Sequence, residues 1–318
     1  MFGAGLWFAA RKIVSLVVTL IVASFLVFSA LTLAPGDPAV ALAGNTNNPE
    51  TLAVIREQFR LDDPLFVRYF AWIGSILQGD FGSSYVFRTD VIELIEPRVS
   101  TTVRLVLLSI ILILAVGITL GVLAGLGKPA VDTAITVIVS IFMGAPTFIM
   151  AILLITLFSV QLGWLPAYGN GSGFWDELRY LILPAIALSA TYIAFVARVT
   201  RTSIRGELHS EHVDTARSRG FQKSVYIPHH VLRNASAQIF TVSGITLAGL
   251  FAGTAVAEQA FNLKGLGSLL VEAAVRQDLP VVQLLTLFLV AAYVIVNTIV
   301  DLLNAAIDPR VAQGKARV

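Results

Sequence analysis

The sequence predicts an all-α integral membrane protein with six transmembrane helices, and three observations predict it. Of the 318 residues, 56% are hydrophobic and only 13% charged, with a mean hydropathy of +0.82; soluble domains carry roughly a quarter charged residues. Uncharged runs near 13–34, 105–127, 133–162, 180–197, 234–257 and 279–300 each reach the roughly 18 apolar residues that a membrane crossing needs. Unbroken runs of that length exclude the alternating strands of a barrel. The third observation is charge asymmetry. With six spans, the termini and the loops on their side collect 13 Lys/Arg against 6 Asp/Glu, while the opposite loops collect 9 against 14. Positive charge is retained on the cytoplasmic side, so both termini are expected there, and shifting the count by one helix spoils the pattern. Orientation therefore accounts for the basic balance without nucleic acid.

The first run follows Arg11 and Lys12 as a signal peptide would. Its length exceeds the 7–15 residue core of a cleaved signal, and Pro35 makes a poor cleavage site, so a retained helix is expected. Residues 35–101 form an extracytoplasmic segment with two helical patterns, near Pro49–Phe59 and Pro64–Leu77. In the second, Phe66, Tyr69, Phe70, Ile73, Ile76 and Leu77 share a face that leaves Arg68 on another. Such a helix either packs on the bundle or the membrane surface, the commoner use, or serves as a platform for an external protein.

The third run contains Pro146, which removes a backbone donor and predicts a kink or break at Met143–Thr147. Broken helices line substrate paths in transporters, so Pro146, Thr147 and Phe148 are candidates for a pathway or gate. Kinks also occur in membrane helices with no such role. The spans carry essentially no interior ionisable residue, which argues against proton or ion relays. Asn297, Asp301 and Asn304 share one face of the last helix, where polar side chains are expected to pin helices together.

Enzyme motifs fail. Gly125-Leu126-Gly127-Lys128 has Val122 where a phosphate loop needs glycine and Pro129 where it needs Ser/Thr. His209 and His212 lack the zinc-protease spacing, and adjacent His229 and His230 point different ways on a helix. With no cysteine there are no disulfides or thiolate metal sites, and no cofactor or metal is expected on this chain.

The telling stretch is the basic loop 199–233. Arg198, Arg201 and Arg205 lie on one face of a helix leaving the membrane, as snorkelling anchors do. Ser210 is placed to cap a new helix with Glu211 at its positive end, and Gly220 to end it, giving a rod of roughly 15 Å. Ala216 and Gly220, small and four apart, suggest room for a partner's side chains. A short rigid helix can transmit a push that a floppy loop cannot.

Asp214-Thr215-Ala216-Arg217-Ser218-Arg219-Gly220 resembles the Glu-Ala-Ala-x-x-x-Gly loop of ATP-binding-cassette importer permeases. With His230-Val231-Leu232-Arg233-Asn234 it is similar to the dipeptide/oligopeptide/nickel branch, B-type subunit. Further matches are Pro35-Gly36-Asp37-Pro38, Leu61-Asp62-Asp63-Pro64, Gly79-Asp80-Phe81-Gly82, Phe261 through Gly267, and Asp308-Pro309-Arg310, so the resemblance spans about residues 10 to 310. Asp214 departs from the usual Glu, and His230 to Arg233 replace the general Ile-x-Leu-Pro ending.

The resemblance implies a type I importer permease in a bacterial cell membrane. Residues 1–34 would be the N-terminus and first span, 102–310 a five-helix core, and 311–318 a cytoplasmic tail. It implies a heterodimer with a homologous permease, two cytoplasmic ATPases that hold the ATP and Mg, an external solute-binding protein, and surrounding lipid. The ATPase-coupling residues would be Glu211, Asp214, Thr215, Ala216 and Gly220. The implied cargo is di- or oligopeptides, with nickel complexes, glutathione, haem or oligosaccharides as alternatives. An ion-coupled carrier or an intramembrane enzyme is the rival from another class, and either would act without ATPases.

Overall fold

A computed structural model describes residues 2–33, 39–40, 48–58 and 60–307. The Pro35–Pro38 and Asp308–Arg310 motifs and the 311–318 tail lie outside them, as does the side chain of Asn304. The described residues are helical throughout, apart from turns and one isolated bridge between Ser83 and Asp90.

Helix α1 is Phe2–Thr32, α2 Pro49–Gln58 and α3 Leu65–Leu77. Helix α4 is Val91–Leu126, α5 Pro129–Gly144, α6 Thr147–Gln161 and α7 Phe174–Leu208. Helix α8 is Glu211–Ser218 and α9 is Arg233–Ala260, entered through Lys223–Tyr226 and a π-helical turn Ile227–Leu232. Helix α10 is Leu266–Val275 and α11 Leu279–Ile307. By length and composition α1, α4, α7 and α11 can each cross a bilayer, and two bent pairs bring the count to six. One pair is α5 and α6; the other is Lys223–Phe251, the lead-in with most of α9, and Gly253–Ala260, the last turns of α9. Helix thus begins at Lys223, eleven residues before the fifth apolar run, because the amphipathic lead-in buries Tyr226 and Val231.

Helix α7 is the central pillar, with 61% of its apolar window buried against 11% for α1 at the periphery. The main core gathers Leu105 and Ile113 of α4, Met150 and Leu154 of α6, Leu183 and Leu188 of α7, and Leu250 of α9. The α4–α7 contact is set by Gly117, Gly121 and Gly125. A Cβ on Gly121 would lie 2.4 Å from Thr200 Cβ and 2.7 Å from the Ala197 carbonyl. Without a strong hydrophobic drive between helices in lipid, small residues spaced by four let the backbones approach and gain dispersion contacts.

Helix α3 packs on α1 through aromatic rings. Phe25 stacks on Phe66 at 5.5 Å, and Trp72 meets Phe28 at 5.3 Å. Tyr69 is buried, its hydroxyl 2.8 Å from Ser24 Oγ. The expected common face of α3 is therefore split, with Tyr69 turned inward and Phe66, Phe70 and Leu77 exposed.

Candidate functional site

Helix α8 sits at the end of α7, held from three directions. Val213 and Ala216 face inward and join a buried cluster with Ile204 of α7, Tyr226 and Val231 of the lead-in, and Ala235 of α9. The Arg217 guanidinium lies over the Tyr226 ring at 5.3 Å. His212 Nε2 lies 3.2 Å from Glu207 Oε2 at the end of α7 and 2.9 Å from Asn234 Nδ2 at the start of α9. Helix α8 is thereby fastened to both helices beside it.

The helix stops where expected and by the expected device. Gly220 adopts φ +79°, its N–H donates to the Arg217 carbonyl at 2.9 Å, and the Phe221 N–H donates to the Ala216 carbonyl at 3.2 Å. That is a Schellman motif, which needs a left-handed residue.

Two expectations about this segment are corrected. Ser210 occupies the cap position, but its hydroxyl turns back to donate to the Glu207 carbonyl at 2.6 Å and makes no side-chain cap. Ala216 is small because it packs inside the chain's own core, not to admit a partner. A Cβ on Gly220 would meet open space within this chain, where the backbone angle is what calls for glycine. The exposed face consists of Glu211, His212, Asp214, Thr215 and Arg217, with Asp214 and Arg217 paired at 3.4 Å.

Arg201 and Arg205 are more than snorkelling anchors. Buried Asp132, in the first turn of α5, takes a two-pronged contact from Arg201, whose Nη2 stands 2.7 Å from Oδ2, and a further one from Arg205 at 2.8 Å. Both arginines lie on the last turns of α7, so the clamp ties the start of α5 to the stem that carries α8.

Between α5 and α6 the chain turns through 105°, a corner much sharper than a kink. Ala145 and Pro146 are both extended, with ψ 115° and 144°. Thr191 of α7 donates to the freed Ala145 carbonyl at 3.3 Å. Thr147 is half-buried, while Pro146 and Phe148 are exposed. The halves run about 24 and 22 Å, each short of the roughly 30 Å hydrocarbon thickness. Backbone groups freed in hydrocarbon cost several kcal/mol each, so such a corner persists only against protein or water.

In the predicted polar patch Asp301 pairs with Lys12 at 2.6 Å, drawing the start of α1 to the end of α11. Asn297 is half-buried on the same helix.

The far face holds two fully buried carboxylates just outside the uncharged runs, one near the end of α9 and one before α11. Glu258 near the end of α9 accepts from Thr102 Oγ1 at 2.7 Å and from the Ser268 N–H at 2.8 Å. It thus caps the N-terminus of α10 from another helix. A Cβ on Gly265 would lie 2.3 Å from its carboxyl carbon, so glycine lets the Phe261–Gly267 turn close over it. Asp278 accepts from Ser84 Oγ and from the N–H groups of Tyr85 at 3.1 Å and Val86 at 3.3 Å. Burial pushes the Tyr85 phenol above its ordinary value.

The described residues form a helical bundle with up to six candidate membrane spans and a polar helix packed at one end. Residues 117–313 match the family described as "Binding-protein-dependent transport system inner membrane component", and residues 5–106 match its N-terminal counterpart. The chain belongs to that family.

A relative in Sinorhizobium fredii, "Probable peptide ABC transporter permease protein y4tP", is 36% identical over 95% of this chain and 97% of its own length. Salmonella typhi has a relative called "Glutathione transport system permease protein GsiC", 34% identical over 96% of this chain and 98% of its own. Among solved structures, an inward-facing form of the MetNI methionine ABC transporter aligns with a TM-score of 0.57 at 17% identity, covering 68% of this chain and 97% of that one. An amino acid ABC transporter aligns at 0.50 with 15% identity, covering 69% and 94%. At those identities the likeness is one of fold: that of importer permeases of the type I class.

Proposed function

We propose that the chain forms half of the translocation path of an ATP-driven importer of di- and oligopeptides, worked from the α8 face by separate ATPases. The observation that carries this is the build of α8. Val213 and Ala216 root it in a cluster shared with α7 and α9, while Glu211, Asp214 and Thr215 are exposed on the opposite side. A force applied to that acidic face is passed to two spans through packed side chains. Ala216 and Gly220 would keep the helix rooted and stopped, while Glu211, Asp214 and Thr215 would meet the ATPase.

The charge asymmetry supports a cytoplasmic α8 face with both termini beside it, and the Lys12–Asp301 pair is consistent with termini on one side. ATP and Mg would be held by the partner ATPases, a homologous permease would supply the other half of the path, and an external binding protein would deliver cargo. The Pro146–Phe148 corner would line the path, since the backbone it frees requires water or protein. Residues 1–34 would make the N-terminus and first span, 35–101 an extracytoplasmic layer, 102–310 the core and 311–318 a tail. Glutathione, itself a short peptide, is the second reading, favoured by the name of the Salmonella relative.

The test is Gly220→Pro in the complete complex reconstituted in vesicles, with ATP hydrolysis and peptide uptake measured together. The expected result is loss of binding-protein-stimulated hydrolysis and uptake. Survival of both overturns the coupling role.

A further inference from the structure

Helix α3 is 13 residues long, too short to cross a membrane, yet it meets α1 deep within a span. The Tyr69 hydroxyl lies 2.8 Å from Ser24 Oγ and reaches the Ile21 carbonyl at 3.4 Å. Ile21 precedes the end of the α1 span at Thr32 by about 16 Å, roughly half the ~30 Å hydrocarbon core. Tyr69 is buried there with its hydroxyl paired, as a polar group at such depth requires.

The residues beside it on α3 are apolar and uncovered: Phe66 is 62% exposed, Phe70 68% and Leu77 81%. On α1, Ile21, Val22 and Leu26 are exposed as well, next to Phe25, on which Phe66 stacks. The only charge on α3 is Arg68, whose guanidinium folds back to donate to the Leu61 carbonyl at 3.2 Å, beside the charged turn Asp62–Asp63. That is how a cation behaves when its helix lies in hydrocarbon and its head seeks the interface.

We propose that α3 is embedded obliquely in the leaflet at the far end of α1, with Phe66, Phe70 and Leu77 in contact with lipid acyl chains. A helix resting on the headgroups, or kept clear for an external protein, would not reach the middle of α1. The area left bare by these large side chains then faces lipid. This rests only on α1 spanning the membrane and is independent of the cargo and of the coupling role of α8.

The chain has no cysteine, so a single reporter can be placed without background from this subunit. Phe70→Cys, labelled with an environment-sensitive fluorophore, is assembled with its partner subunits and reconstituted in phosphatidylcholine–phosphatidylglycerol vesicles. Quenching by a nitroxide on the lipid acyl chain is compared with quenching by aqueous iodide, and Ser172→Cys, exposed on the turn before α7, serves as the water-exposed reference. The expected result is acyl-chain quenching at position 70 at least twofold stronger than iodide quenching, with the reverse at position 172. Dominant iodide quenching at position 70 places α3 in water and overturns the proposal. Protection from both quenchers shows a protein cover and overturns it equally. Should Phe70→Cys fail to assemble, Leu77→Cys carries the same comparison.

Discussion

The most deeply buried acids on the two faces of the bundle are held by different means, although the far face also carries the surface pairs Arg104–Glu177 and Arg276–Glu272. On the α8 face, Asp132, Asp214 and Asp301 are paired with the side chains of Arg201, Arg205, Arg217 and Lys12. On the far face, Glu258 and Asp278 are sunk among hydroxyls and backbone N–H groups. Long basic side chains can release and remake a contact as helices shift, whereas a carboxylate seated on backbone fixes the turn that encloses it. If α8 is the coupling helix, the difference assigns movement to its face and a framing role to the far-face turns.

The largest effect is expected at Glu258. Glu258→Ala strands the Thr102 hydroxyl and the Ser268 N–H and should lower the stability of the complex by about 3 kcal/mol, read as a fall in its thermal midpoint. Glu258→Gln keeps one acceptor oxygen and should recover part of the loss. Asp132→Ala should cost about 2 kcal/mol, because Arg201 and Arg205 are partly solvated and can find water. Its effect should shrink in high salt while that of Glu258→Ala does not. Equal losses with no salt response at Asp132 would erase the distinction between the faces.

Gly121→Ala probes the frame by sterics alone. Forcing a methyl against Thr200 should cost about 1–2 kcal/mol, and pairing it with Thr200→Ala should recover much of that in the same midpoint measurement. Lys12→Ala should matter least, about 0.5 kcal/mol, since both partners are one-third exposed. A loss several times larger would show that this contact belongs with the fixed ones.

The spans were legible because hydrocarbon demands long uncharged runs, and α8 because Glu211 and Gly220 mark its ends in the local code of helix termini. Which way α8 faces was written in the spacing of Val213 and Ala216, the two apolar residues of an otherwise polar turn. Reading the small residue as an opening for a partner missed that both point inward. The four-residue spacing of Gly117, Gly121 and Gly125 was likewise open to view and names a helix contact, though not the helix it meets. Glu258 and Asp278 carried no such signal. Their partners are mostly backbone groups, and Tyr85 stands 193 positions from Asp278, so only the folded chain reveals them. The sharpness of the Pro146 corner was also hidden, because a proline predicts interruption but not the angle that packing on Thr191 imposes.

Helix α7 runs 35 residues without a break, through Pro184, which makes it about 52 Å long and some 20 Å longer than the hydrocarbon it crosses. A stiff rod with that much overhang magnifies rotation. Pivoting by about 10° swings a tip 20 Å beyond the pivot through roughly 3.5 Å, comparable to displacements that switch packed interfaces between arrangements. A small pivot of α7 is therefore enough to reposition whatever sits at its end.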